Sequence, residues 1–382
     1  MLNPPRNLGV YIHLPWCIHK CPYCDFNSHE ASLDKVQNLE ENYINAILEE
    51  FSYYEKEIPH RHISSIFFGG GTPSLVSPKL IQKIIDRIQS CNQEHMPEIT
   101  MEANPGTIDV NNFSDYKLAG VNRISLGVQS FNNNHLKKLE RIHSSEEAIK
   151  AIEVVKRLFT NYNLDLMFAL PGQSLENLEK ELLQAIEFES NHLSFYHLTI
   201  EPQTTFYKNP PKLPSEDLAF EMYEMITSLL QSKKYIHYET SAFAKSNYKS
   251  LHNQNYWFFG DYLGLGAGAH SKITFDNETI IRTHNTKNPK NYVDSINKKI
   301  FFQNKESISQ DNLPFEFMMN ALRLNQGFEK ALFTQRTGLE FSVIQDKIKL
   351  SVNKGLLIDD GNVISPTKKG ALFLNDMLQI FI

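Results

Sequence analysis

Cys17, Cys21 and Cys24 fall within eight residues of each other, in the run YIHLPWCIHKCPYCDF with spacing C-x3-C-x2-C. Thiolates on one short loop can each ligate a different iron of a cubane. The fourth iron is then left without a protein ligand, which opens a position for chemistry. Zinc is the competing assignment, because His13, His19 or His29 could complete a tetrahedral site. Zinc sites usually pair two ligand couples across a longer loop, and this chain has no second C-x2-C. Cys91, the fourth cysteine, stands alone and is expected to be a small buried side chain.

Further polar residues stand where strands are expected to end. In GGGTPS, Gly69 to Ser74, successive glycines permit close backbone approach, and their N–H groups can face an anion; a plain turn is the alternative. Glu102 in EANPG could meet an ammonium or a hydroxyl, and Gln129 and Asp165 close the next two runs. Each of these could equally be a solvated loop residue. GLGAGAHS, from Gly264, is another glycine turn with His270 at its end, expected at the mouth of the fold or as a simple structural turn. FNNNHL near Asn133 is expected to be a modest loop.

The elements that must hold these residues alternate. Short β-prone runs begin at Gly9, Ser65, Glu98, Arg123, Leu164 and Leu193. Between them, segments such as LEENYINAILEEFSYYEKEI and PKLIQKIIDRIQSC repeat apolar residues every three or four positions. Such β, α order predicts parallel strands with right-handed crossovers, and Gly or Pro after nearly every strand gathers the loops at one end. The expected class is α/β, an incomplete (β/α) barrel. Its core is expected over residues 1–207, with a barrel-completing region over 208–313. From about Pro314, two helices, a hairpin in LLIDDGNVISPTKKG and a last helix predict a winged-helix-like domain over 314–382.

Composition narrows the function. A chain of 382 residues supports one large domain and a smaller one, and 41% hydrophobic residues include no apolar run near the ~20 that a membrane helix needs. A formal charge of -6 argues against a broad nucleic-acid-binding face. MLNPPRNLGV has no basic stretch followed by an apolar region, so a cytoplasmic address is expected, not an integral membrane one.

The cysteine spacing and Tyr23 before the last cysteine resemble radical S-adenosylmethionine enzymes. In that superfamily the cofactor's amino and carboxylate groups chelate the open iron, and an electron passed into the sulfonium releases a 5'-deoxyadenosyl radical. YIHLPWC with C-x3-C-x2-C-D-F, then GGGTPS, EANPG, SLGVQSF and LMFALPGQ, resembles the oxygen-independent coproporphyrinogen III oxidase family, from about Asn7 to the C-terminus. That family also has a heme-chaperone branch. The resemblance implies a 4Fe-4S cluster on Cys17, Cys21 and Cys24. It also implies S-adenosylmethionine contacts at Tyr11, Gly70, Gly71, Thr72, Glu102, Gln129, Arg141 and Asp165.

Two departures separate the chain from the oxidases, which resemble it less. They carry a longer N-terminal extension, whereas this chain begins ten residues before Tyr11; they also carry a cysteine where it has Phe26. HNQNYW, His252 to Trp257, is similar to the H-N-x-x-Y-W motif of the heme-chaperone branch, where the histidine is implicated in holding heme. An imidazole is a common axial ligand to heme iron and Tyr256 and Trp257 could pack on a porphyrin. By chemistry alone, a surface histidine beside a packing tryptophan is the alternative. The resemblance implies heme as ligand, an acceptor hemoprotein such as a respiratory one, and an electron donor for the cluster. The alternative activity is radical decarboxylation of two propionates to vinyl groups.

Overall fold

Alternation along β1 (Asn7–Leu14) sets the plan of the barrel wall. Val10, Ile12 and Leu14 are buried in the main apolar core, while Gly9, Tyr11 and His13 share the other face. The same two-residue period runs through β2 (His62–Gly70), β3 (Glu98–Ala103), β4 (Arg123–Gln129), β5 (Tyr162–Phe168) and β6 (His192–His197). These are the six expected strands, and they lie side by side, all parallel, in chain order.

The computed structural model describes residues 5, 7–91, 96–275 and 279–382. Most of the first six residues, part of the stretch bearing on export, lie outside the described residues.

Helices α1 (Leu33–Glu57), α2 (Pro78–Gln89), α3 (Thr107–Leu118), α4 (Ser145–Leu158) and α5 (Leu175–Glu187) make the crossovers. On α2 the spacing of Ile81, Ile84, Ile85 and Ile88 makes one stripe, entirely buried, and each such side chain contributes about 1.5–3 kcal/mol. A capping box, in which Ser144 and Glu147 satisfy each other's backbone N–H groups, starts α4.

Beyond β6, helix α6 (Glu216–Ser232) leads to β7 (Ile236–Glu239) and β8 (Ala242–Ala244), of which β8 pairs antiparallel with β6. After α7 (Leu251–Trp257), β9 (Asp261–Leu265) runs parallel beside β1. Antiparallel β10 (His270–Thr274), β11 (Ile280–His284) and β12 (Asn304–Ser307) extend that side. The sheet order is β12-β11-β10-β9-β1-β2-β3-β4-β5-β6-β8-β7, with β12 and β7 as edges, so the barrel is incomplete, as expected.

The C-terminal unit is α8 (Leu313–Ala321), β13 (Phe328–Glu329), α9 (Lys330–Thr337), α10 (Ser342–Asn353), β14 (Leu357–Asp359), β15 (Val363–Pro366) and α11 (Lys368–Leu372). Its three-stranded sheet follows the winged-helix plan. Its own apolar core includes Phe317, Phe333, Ile344 and Ile364, and takes in Phe259 and Ile280 from the barrel side.

Two expectations need correction. Cys91 is exposed, because α2 ends at Gln89 and its apolar stripe stops at Ile88; the thiol instead meets Arg87 and Glu55. FNNNHL is not simply a loop: Asn132 caps a short helix, Asn133–Lys138, by accepting the N–H of Asn134. Among the described residues no helix is long and apolar enough to cross a membrane.

Candidate functional site

The three clustered cysteines follow β1 directly. Trp16–Cys17 pairs in parallel with His29–Glu30, which closes residues 18–28 into a loop at the C-terminal end of the barrel strands. Inside it the Cys24 N–H donates to the Cys21 carbonyl at 3.1 Å. The loop is tied down on both sides. Phe206 N–H donates to Pro22, and the Asn27 amide donates to Ala267 and Lys287 at 3.0 and 2.9 Å.

The glycine run meets this loop through its backbone. Gly71 N–H donates to Leu14 and Thr72 N–H to Trp16. A methyl at position 71 would stand 2.5 Å from the Trp16 carbonyl oxygen, inside contact distance of backbone that cannot yield. Gly70 has φ +115°, and a methyl there would lie 2.6 Å from the His13 ring. Gly71→Ala is therefore expected to displace the thiol loop, lower the melting temperature by several degrees and weaken cluster retention. Calorimetry and iron analysis after anaerobic reconstitution check it; a variant that melts and loads like the wild type refutes it.

A chain of hydrogen bonds joins two of the cysteines across the barrel mouth. The Thr72 hydroxyl faces Cys17 Sγ at 3.6 Å and accepts from Asn104 at 3.0 Å. Arg141 donates to Asn104 at 2.6 Å and directs its other terminal nitrogen to Cys21 Sγ at 3.5 Å. Arg141 Nε is buried without a hydrogen-bond partner. Asn104 was missed at the sequence level, although strand parity from Glu102 puts it on the same face.

The histidines that could have completed a zinc site are engaged elsewhere. His13 is held by the Tyr11 hydroxyl at 3.1 Å and the Asn27 carbonyl at 2.9 Å. His29 meets the Lys287 carbonyl, and His19 lies between Glu30 and Glu140. Among the described residues no three His, Cys, Asp or Glu side chains converge on one ion position.

Below the thiol loop the lumen is lined by groups that favour a cation. Burial first, and the Asp165 carboxylate second, push the Glu102 carboxyl up to about 8; among the described residues its one hydrogen bond is from Gly70 N–H at 3.3 Å. Asp165 accepts from Ser125 and Asn163 at 2.7 and 2.8 Å, and burial raises it too. The Tyr196 phenol feels both carboxylates. Gln129 holds φ +65° at the register irregularity that ends β4, which turns its side chain back over Gly127. So rare a backbone conformation costs about 1–3 kcal/mol and is tolerated where surrounding structure fixes it.

His252 lies away from this mouth. Its ring faces Ser65, with Nδ1 to the hydroxyl at 2.8 Å, and Nε2 meets the Tyr256 hydroxyl at 3.0 Å. Phe67 stacks on it at 5.0 Å. The histidine is buried, contrary to the surface alternative, and burial pushes its pKa down to about 3, so the ring is neutral. The N–H groups of Leu251 and His252 donate to Glu98, the first residue of β3, at the opposite strand end from the cysteines. Tyr11, in mid-strand, has its ring 6.4 Å from that of His252. The GLGAGAHS turn, by contrast, does reach the mouth: Ala267 receives Asn27, and the buried Glu50 carboxylate receives Gly266 N–H at 3.1 Å.

An incomplete parallel barrel with a three-thiol loop after its first strand and a glycine-run cradle after its second defines the radical S-adenosylmethionine class. The Radical SAM superfamily model matches residues 11–185, and the HemN C-terminal domain model matches residues 308–373. "Heme chaperone HemW" of Escherichia coli (strain K12) is 42% identical over 99% of this chain and 98% of its own length. The protein of the same name from Buchnera aphidicola subsp. Schizaphis graminum is 43% identical over 99% of both, and that of Bacillus subtilis (strain 168) 33% identical over 98% of this chain and 99% of its own. The solved coproporphyrinogen III oxidase (HemN) of Escherichia coli superposes with a TM-score of 0.83 at 23% identity, covering 99% of this chain and 91% of that one, which shows the shared fold. The chain belongs to the HemW family of radical SAM proteins.

A 4Fe-4S cluster and S-adenosylmethionine are typical of that superfamily. The residues present fit such a pair of groups: three unbridged thiols on one loop, an unpartnered buried Arg141 Nε, and a glycine cradle closed to any side chain.

Proposed function

We propose that this chain is a heme chaperone, which binds heme and passes it to an acceptor hemoprotein. The observation that carries this is identity of 41–43% over nearly the whole chain with relatives named as heme chaperones, against 23% with the oxidase. A membrane-bound respiratory protein is the proposed acceptor class, and the proposed address is the cytoplasm.

Cys17, Cys21 and Cys24 would hold the cluster, and an external electron donor would reduce it. Tyr11, Gly70, Gly71, Thr72, Glu102, Gln129, Arg141 and Asp165 would hold S-adenosylmethionine. Bound there, the cofactor supplies a site-differentiated iron ligand and, on reduction, radical chemistry. The protein's own part is positional. Glu102 offers its carboxylate to an ammonium, the backbone after β2 offers N–H groups to a carboxylate, and Arg141 keeps one thiol side of the loop positively screened. The HNQNYW helix, with His252, is proposed to serve heme binding, although both nitrogens of His252 are committed and ligation through it requires Tyr256 to give way.

Anaerobic reconstitution with iron and sulfide, followed by hemin titration read by absorbance, tests the reading. Saturable binding by the cluster-loaded protein, and transfer to an apo-hemoprotein, is expected. A loaded cluster with no measurable hemin affinity refutes it, and formation of protoporphyrinogen under reductant would assign the oxidase activity instead.

A further inference from the structure

Three adjacent strands set a row of polar side chains beside Asp165, inside the barrel. The register places Asn163 of β5 next to Ser125 of β4 on one side and next to His192 of β6 on the other. Strand parity puts Asn163 on the face of Asp165, while Leu164 and Leu193 go to the apolar core. Ser125, Asn163 and His192 are buried, and so is Tyr238 of β7, which closes the row.

The direction of each hydrogen bond in this row is fixed by its end on Asp165. One end of the Asn163 amide lies 2.8 Å from both the Asp165 carboxylate and the Ser125 hydroxyl, and the other lies 2.6 Å from His192 Nδ1. A carboxylate only accepts, so the NH2 end faces Asp165 and the carbonyl end faces His192. The Ser194 hydroxyl donates to that same carbonyl end at 3.1 Å. His192 Nδ1 must therefore donate as well. Burial first, and the Arg123 charge second, hold the imidazole pKa well below its ordinary value, so the ring is neutral and Nε2 is an acceptor. Nε2 accepts from the Tyr238 hydroxyl at 2.8 Å, and that hydroxyl accepts the N–H of Ser250, the cap of α7, at 3.3 Å. All donors point one way, from Ser250 through Tyr238, His192 and Asn163 to Asp165.

The consequence is felt in the lumen. An ionised carboxylate has about four lone-pair positions, and Asn163 and Ser125 take one on each oxygen of Asp165. The rest are left for a ligand that donates, a hydroxyl or an ammonium. Without the imidazole, the Asn163 amide can turn its carbonyl toward Asp165, which replaces an attraction by a repulsion and moves the carboxylate.

We infer that His192 is a positioning residue for S-adenosylmethionine: through Asn163 it locks Asp165 as a hydrogen-bond acceptor for a donor group of the cofactor, and Tyr238 selects its tautomer. The inference rests on the reading that Asp165 contacts the cofactor.

Isothermal titration of S-adenosylmethionine into the cluster-loaded, oxidised full chain tests it. Wild type, His192→Phe, His192→Gln and Tyr238→Phe are compared, alone and in an Asp165→Asn background, with melting temperatures recorded for each. Glutamine keeps one donor and one acceptor, so it is the rescue variant. Support is a Kd raised at least about tenfold in His192→Phe, at least about threefold in Tyr238→Phe, and within about threefold of wild type in His192→Gln. In the Asp165→Asn background His192→Phe should move Kd by less than about twofold, because a residue acting through Asp165 then has nothing to act on. An effect of equal size in both backgrounds overturns the inference, since it would come from packing alone. Wild-type affinity in folded His192→Phe and Tyr238→Phe overturns it too. If His192→Phe does not fold, Tyr238→Phe in the two backgrounds decides by the same criteria. A cluster-loaded wild type that binds no S-adenosylmethionine overturns the cofactor reading itself.

Discussion

Replacement of Cys17, Cys21 or Cys24 by alanine is expected to abolish the cluster while leaving the barrel folded. With three protein thiolates on separate irons, losing one leaves two irons without a protein ligand, and iron after reconstitution should fall from about four per chain to well below one. The fold should tolerate the change. Cys21 and Cys24 are half-buried on a loop whose ties, the backbone bond from Phe206 to Pro22 and the Asn27 side-chain amide bonds to the Ala267 and Lys287 carbonyls, do not involve sulfur. Even for the buried Cys17 the lost contact is a long hydroxyl–thiol bond to Thr72, so a melting change within a few degrees is expected, about 1 kcal/mol or less. Iron and sulfide analysis with the visible charge-transfer absorbance measures the first part, and calorimetry the second. An alanine variant that keeps full iron and sulfide would remove that cysteine from the ligand set. One zinc per chain and no sulfide in the wild type would replace the cluster altogether.

Glu102→Gln should cost the second largest effect, on S-adenosylmethionine binding. The carboxyl is buried, which pushes its pKa up to about 8, and among the described residues it has one backbone donor, so it gains its proper partner only when a cation enters the lumen. Truncating one side of a buried charge pair costs about 2–5 kcal/mol, or roughly 30-fold to several-thousand-fold in affinity. The pH dependence carries the signature. Below pH 8 the carboxyl must release a proton to receive an ammonium, so wild-type affinity should rise with pH, by up to about tenfold per unit, and level off near 8. The amide has nothing to titrate and its profile should be flat over that range. For the ligand-free chain the sign is reversed: a carboxyl raised from the ordinary 4.5 to about 8 favours the folded state at low pH, and that contribution fades as pH rises through 8. Isothermal titration between pH 6 and 8.5 on reconstituted protein decides. Equal pH slopes in wild type and variant would take Glu102 out of the ammonium's reach.

The two effects act on one structure from different directions. Arg141 and Asn104 connect the thiol loop to the strands that carry Glu102 and Gln129, so the loop and the lumen are held in register by side chains rather than by sequence proximity. Arg141 is 120 residues from Cys21 in the chain. It arrives because the short helix Asn133–Lys138, capped by Asn132, turns the segment back across the end of β4.

What the sequence determined by itself was local. Short β-prone runs between helical segments named the six barrel strands, the three-to-four spacing of apolar residues named α2, and C-x3-C-x2-C placed three thiols on one loop, because composition and period are properties of a single segment. The C-terminal strand ends that carry Glu102 and Gln129 were equally legible, since parallel strands put those ends together, whereas Asp165, expected at a strand end, lies in the middle of β5 because that strand runs on to Phe168. Solvent exposure at Cys91 was not, because it depended on where α2 stopped. Nor was the position of His252, which chemistry alone would have put on the surface and which the fold buries between Ser65 and Tyr256. Strand β9 returns to pair with β1 after nearly 250 residues, a closure that no local spacing shows. Tertiary structure decided these matters because each depends on two distant segments meeting, and a hydrogen bond or a packed ring has no trace in the spacing of either segment alone.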